Sequence, residues 1–288
     1  MTTFSTAKQE ADQINLSRHH LNKLQITSSA YRLAYDDLDF MMRQELRPIR
    51  LQLELLKPEL ALSEHGIEST VVIFGSARIL STEAASYELT AAEDHLNSEP
   101  QNPQAHQMRE HAKKTAERSR YYEQSRHLSR IITEANLKKE NPVVVVTGGG
   151  GGIMEGANRG ASEVGGKSIG LNIVLPHEQL PNPFVTPELC FQFHYFAIRK
   201  MHLLMRAKAL VVFPGGFGTL DELFEALTLI QTKKMNVIPI ILFDKKYWQR
   251  LINFEMLVEE EMISQEDLTL LAYAETAQEV WDKIKNFL

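Results

Sequence analysis

Val143-Val144-Val145-Val146-Thr147-Gly148-Gly149-Gly150-Gly151-Gly152-Ile153-Met154-Glu155-Gly156 is the stretch that decides the fold. Four consecutive valines predict a strand buried on both faces, since a strand with one wet face alternates apolar and polar residues. Five glycines follow, and a helical pattern starts at about 153 and stops at Gly165-Gly166, which suits a helix C-terminus. One or two glycines satisfy a tight turn; five cost much chain entropy. Their use is access: without side chains, several backbone N–H groups converge on an anion at the positive end of the following helix.

The same grammar recurs on both sides. Val71-Val72-Ile73-Phe74 ends in Gly75-Ser76, and the apolar run 209–213 ends in Pro214-Gly215-Gly216-Phe217-Gly218-Thr219-Leu220-Asp221-Glu222. Further strands are predicted at 169–175, 191–195 and 237–243, with Pro239 placing the last near an edge or a bulge. Helical stretches separate them, and helices are expected to finish the chain. Apolar strands alternating with helices predict an α/β fold, a Rossmann-like parallel sheet with helices on both faces. Ligands of such sheets bind beyond the carboxyl ends of the strands, where both glycine turns fall.

Residues 1–65 read as a helical N-terminal extension, with Leu46, Ile49, Leu53 and Leu56 on one stripe expected to dock on the main domain or a second subunit. Pro48 suits the start of that helix. Residues 66–288 are expected to form the Rossmann-like domain, with a helical insertion at about 80–120 after its first strand. The helical stretch 82–138 breaks at 97–103, where Asn, Ser and Pro cluster.

Composition narrows the function. The 288 residues carry 31 basic and 37 acidic side chains, a net charge of −6, which gives no general reason to expect a nucleic-acid partner. The one cysteine, Cys190, excludes an intramolecular disulfide and sits in an apolar run as a small buried residue. The N-terminal MTTFSTAKQEADQ has no apolar signal-peptide core, and no apolar run approaches the roughly 20 residues of a membrane span. A soluble, cytoplasmic protein with no membrane partner is expected. The histidines show no zinc spacing, so no metal is implied; His177-Glu178, in the proline-rich loop, reads as a surface turn.

The first glycine turn fits neither common nucleotide fingerprint. G-x-G-x-x-G started at 148, 149 or 150 ends on Ile153, Met154 or Glu155, which disfavours NAD. Gly166-Lys167-Ser168 has Ala161 where a P-loop needs glycine, and it precedes a strand. In the second turn Thr219 and Glu222 stand at capping-box spacing, so a helix cap and a phosphate or sugar contact both remain open there. Arg199, His202 and Arg206 share one helical face, readable as a solvated cationic face or as a phosphate-neutralising arginine.

Taken together, TGGGGGIMEGANRGA (147–161), AIRKMHLLM (197–205) and PGGFGTLDE (214–222) resemble the LOG (Lonely Guy) family, over about 70–75 and 121–245. LPHEQLPNPF (175–184) is similar to its bacterial branch. The family's members are phosphoribohydrolases acting on cytokinin riboside 5′-monophosphates or, as AMP nucleosidases, on AMP. The resemblance implies a purine nucleoside monophosphate as substrate, hydrolysed at its N-glycosidic bond to free base and ribose 5-phosphate, with no cofactor and a homodimer or higher homo-oligomer. It implies catalytic roles for Arg199 and Glu222. For substrate binding it implies Ser76, Gly149, Gly150, Gly151, Gly152, Glu155, Lys200, Gly215, Gly216, Gly218 and Thr219. Leu203 stands where the arginine motif usually has methionine, and Gly151 where the first loop usually has proline. The sequences of this family often carry the label lysine decarboxylase, but no pyridoxal-phosphate lysine motif stands in this chain. Related Rossmann-like proteins resemble carriers of phosphorylated cofactors, such as the molybdenum cofactor, so a non-catalytic carrier is the alternative. The Arg199 and Glu222 pair, which a carrier does not need, separates the two.

Overall fold

Each apolar run becomes a strand because its alternate residues supply two cores. The computed structural model describes residues 23–175 and 180–288; the readings of the extreme N-terminus and of His177-Glu178 lie outside the described residues. The chain divides into two units, residues 1–53 and 54–288. In the first, the described residues form short helical turns, among them Lys23–Thr27 and Leu38–Met41, and Arg50 donates to the Met41 and Arg43 carbonyls at 2.6 and 2.7 Å. Helix α1 is Arg47–Glu64, with Pro48 in its first turn.

The second unit holds a seven-stranded sheet: β1 (Ser69–Phe74), β2 (Val143–Thr147), β3 (Ser168–Ile173), β4 (Cys190–Phe193), β5 (Ala207–Val212), β6 (Ile240–Phe243) and β7 (Leu271–Ala274). All neighbours pair in parallel, in the order β4-β3-β2-β1-β5-β6-β7. The helices are α2 (Thr82–Ser98), α3 (Pro103–Asn136), α4 (Ile153–Ser162), α5 (Phe196–Met205), α6 (Phe217–Gln231), α7 (Lys245–Leu251), α8 (Phe254–Glu259) and α9 (Ala277–Ile284). Along β1, Val72 and Phe74 face one core with Leu203 of α5 and Leu223 of α6. Val71 and Ile73 face the other, with Tyr122 and Leu128 of α3 and Ile153 of α4. Both faces are covered, as an all-parallel sheet requires.

The sequence expectations hold for the fold class, for six strands, and for the break between α2 and α3, where Asn102 caps α3 by accepting from the Gln104 N–H at 2.9 Å. Gly165, at φ +74, ends α4 as expected. Two expectations need correction. The chain does not finish in helices alone: β7 follows α8 and forms one edge of the sheet. Its four residues, two of them alanine, carry too little β-propensity to read as a strand. β6 is an inner strand that begins after Pro239, so the proline, which lacks an N–H, stands before the ladder rather than at an edge. Near the end of α1, Leu62 is buried. Among the described residues no helix is long and apolar enough to cross a membrane.

Candidate active site

Strand order fixes where a ligand fits. The chain lays β2, β3 and β4 on one side of β1 and then returns to place β5 on the other. The crevice at the carboxyl ends of β1 and β5 is therefore the switch point of the sheet, where the connections diverge and leave room. Three turns meet there and are bonded into one backbone assembly. The Ser76 N–H donates to the Pro214 carbonyl at 3.0 Å, and the Ile153 N–H donates to the Ser76 carbonyl at 3.1 Å. Ser76 thus joins the two glycine turns, and its hydroxyl accepts from the Arg78 N–H at 3.1 Å.

The first turn needs glycine where it meets Ser76. Gly152 has φ +66, and a Cβ there would stand 2.3 Å from the Ser76 carbonyl oxygen. Asn182 staples the turn from the other side. Its backbone N–H donates to the Gly149 carbonyl at 2.8 Å, and its side-chain amide lies 2.9 Å from the Gly150 carbonyl and 2.9 Å from Asn158 Oδ1. The Phe184 N–H donates to Asn182 Oδ1 at 3.2 Å, which fixes the amide orientation. With its carbonyls drawn towards Asn182, the turn holds the N–H groups of Gly150, Gly151 and Gly152 without an acceptor among the described residues. They stand at the N-terminus of α4, an arrangement suited to an anion.

The second turn opens α6 in the same way. Gly216 is the N-cap and offers no side chain, so the first N–H groups of the helix have no cap. The capping-box possibility for Thr219 and Glu222 does not materialise: Thr219 is buried in the first turn, and the Glu222 side chain turns inward. Glu222 Oε1 accepts from Arg199 Nη2 at 2.8 Å. The two side chains are 4% and 13% exposed, and among the described residues Glu222 Oε2 and Arg199 Nε have no partner. Arg199 also reaches the first turn, its Nη1 standing 3.5 Å from where a Cβ on Gly148 would be. Burial pushes the Glu222 carboxyl up to about 7, against the pull of Arg199 and Lys200.

The other sequence candidates divide. Glu155 stands on the rim of the first turn, accepting from the Tyr122 hydroxyl at 2.9 Å. Gly218 is exposed on the second turn, and Gly215 packs against Thr219. Lys200 turns away from Arg199 to Asp221 and Glu225, at 3.0 and 2.9 Å. Burial lowers the Lys200 pKa, but those two carboxylates outweigh it and hold the amine above its usual range. The shared cationic face of α5 is not solvated. His202 is wholly buried with Nδ1 3.3 Å from Glu59, and Arg206 pairs with Glu59 and donates to the Ile67 carbonyl at 3.1 Å. Arg199 alone of the three enters the crevice. Asn182 and Tyr122 were missed; an asparagine between two prolines was the signal for the first, and nothing in sequence marks the second. Among the described residues no cluster of three His, Cys, Asp or Glu side chains is placed to hold a metal ion.

The fold and site define a Rossmann-like α/β chain with two glycine turns that open helices and an Arg–Glu pair at the sheet's switch point. A family model described as "Possible lysine decarboxylase" matches residues 154–284. A probable cytokinin riboside 5′-monophosphate phosphoribohydrolase, LOGL3 of Oryza sativa subsp. japonica, is 33% identical over 91 residues. That match covers 31% of this chain and 43% of the relative, less than half of its length. The resemblance to the LOG family read from the motifs is borne out by these matches. Two solved structures are similar in part. The X-ray structure of TM1055 is 19% identical, with TM-score 0.45, covering 76% of this chain and 99% of that one. A Moco carrier protein from Chlamydomonas reinhardtii is 16% identical, with TM-score 0.44, covering 76% and 97%.

Proposed function

We propose that this protein hydrolyses the N-glycosidic bond of purine nucleoside 5′-monophosphates, AMP or a cytokinin riboside monophosphate, releasing the free base and ribose 5-phosphate. The observation that carries the reading is the Arg199–Glu222 pair, buried between two turns that present free backbone N–H groups. A phosphate held by those turns places the ribose over the crevice, so that binding energy remote from the reacting bond positions it. As the C1′–N9 bond breaks, positive charge grows on the ribose, and the Glu222 carboxylate stabilises it. Water adds its oxygen to C1′, and its proton goes to the departing base. Glu222 Oε2, which has no partner among the described residues, is the atom to hold that water or the ribose hydroxyls. Arg199 favours the ionised carboxylate against the effect of burial, and faces the phosphate or the leaving base. A carrier of a phosphorylated ligand has no use for a buried carboxylate at the sugar.

The test is incubation of the purified chain with AMP and other nucleoside monophosphates, with base and ribose 5-phosphate resolved by chromatography. Equal amounts of the two products are expected from the preferred nucleotide. Tight binding of nucleotides with no product from any of them sinks the hydrolase and leaves a carrier. We also propose a homo-oligomer, through the exposed apolar residues Phe217 and Phe224 of α6. Sedimentation is expected to show a dimer or larger, and a monomer at high concentration overturns this.

A further inference from the structure

Asp244 has no part in the chemistry above, yet the structure invests heavily in it. It follows β6 directly, with φ +70, a left-handed conformation costly for a residue other than glycine. It is 6% exposed. Its Oδ2 accepts from the Tyr121 hydroxyl at 2.5 Å and from Arg120 Nη2 at 2.6 Å, both on α3. Its Oδ1 accepts from the Tyr247 N–H at 3.0 Å, and its own N–H donates to the Ala274 carbonyl of β7 at 2.9 Å. Strain of this kind persists only where the surroundings over-determine it. The question is what the arrangement holds in place.

Its product is the position of Tyr247. The ring packs edge-on against buried Trp248, centroids 5.3 Å apart, and the hydroxyl donates to the Gly215 carbonyl at 2.8 Å. β6 lies beside β5, which brings the start of α7 to the second glycine turn. A trans peptide is planar, so its C=O and N–H point opposite ways. Pinning the Gly215 carbonyl towards Tyr247 therefore aims the Gly216 N–H away from the phenol. A Gly–Gly peptide has no side chain to settle its orientation and flips readily unless something outside holds it.

We propose that Tyr247 is a positioning residue, anchored through Asp244 to Arg120 and Tyr121 of α3, that sets the Gly215–Gly216 peptide so that its N–H binds the phosphate of the nucleotide. The proposal rests on the reading of the second turn as a phosphate site. It also gives α3, the long helix that begins in the insertion, a function: it braces the second turn through Asp244 and the first through Tyr122 and Glu155.

The experiment is calorimetric binding of ribose 5-phosphate and, separately, of adenine to the full chain and to Tyr247→Phe and Tyr121→Phe. Tyr247→Phe keeps the ring and removes one hydrogen bond, so ribose 5-phosphate is expected to bind about five- to tenfold more weakly. Adenine affinity stays as in the wild type, and KM for AMP rises by the same factor while kcat moves less. Tyr121→Phe, which leaves Arg120 on Asp244, shifts the same affinity in the same direction by less. Unchanged ribose 5-phosphate binding in Tyr247→Phe overturns the proposal. So does an equal loss for both ligands, which is what a merely structural role produces. Failure of the wild type itself to bind ribose 5-phosphate overturns the phosphate reading beneath it, a result seen without any variant.

Discussion

Glu222→Gln is expected to lower kcat for base release from AMP by about a thousandfold or more, the scale on which removal of a preorganised charge at a transition state acts. Glutamine fills the same volume, so the effect reads the charge. The pH profile follows from the same group. Burial holds the Glu222 carboxyl at about 7, and every role proposed for it uses the ionised form. Wild-type kcat/KM should therefore rise as pH climbs through about 7 and level off above it. The residual rate of Glu222→Gln should be flat across that range. Stability moves the other way. A carboxyl whose folded pKa lies above the ordinary 4.5 binds its proton more tightly in the folded state. Its contribution is fully present at low pH and is lost as pH rises from about 4.5 to about 7. A rate that falls through neutral pH would show that the protonated acid is the active form, delivering its proton to the leaving base. Full activity in Glu222→Gln would remove Glu222 from the mechanism.

What was legible in the sequence depended on range. Val143–Val146 and the glycines after it announce a buried strand and a glycine turn that opens a helix within a dozen residues, and local rules suffice to read them. Glu222 and Arg199 could be singled out because their motifs sit on single helices. Their pairing, across 23 residues of chain, follows from β5 returning beside β1, which no local pattern states. Asn182 and Tyr247 act on glycine carbonyls more than 30 residues away, so no local pattern states those contacts, although the flanking prolines mark Asn182 itself. The face shared by His202 and Arg206 misled because its partner, Glu59, comes from α1, a segment that carries no chemistry of its own in sequence. The continuous apolar run of β1 predicts burial on both faces but not which helix covers which face.

Arg199→Ala should separate the two uses of the buried pair. Among the described residues the guanidinium is the one hydrogen-bond partner of the Glu222 carboxylate, whose Oε2 already has none. Removing one member of a buried ion pair costs about 3–5 kcal/mol when the other stays charged. A carboxyl so stranded protonates instead where the pH allows, so its pKa climbs further above the value near 7 that it has beside Arg199. The loss of stability relative to wild type is therefore pH-dependent: small near pH 6, where the carboxyl is protonated in both proteins, and opening as pH rises through about 7 towards the full amount. Thermal denaturation at pH 6 and pH 9 measures it, and Arg199→Ala/Glu222→Gln should recover most of the difference at pH 9. Turnover should fall about a hundredfold at neutral pH, the scale on which loss of one preorganised donor acts, and return in part at higher pH as Glu222 ionises. Equal destabilisation at both pH values would mean that Arg199 acts through packing against Phe196, whose ring centroid is 5.4 Å from the guanidinium carbon, and not through its charge. In that case the acid limb of the wild-type profile belongs to another group, and the assignment of Glu222 as the titrating carboxylate falls with it.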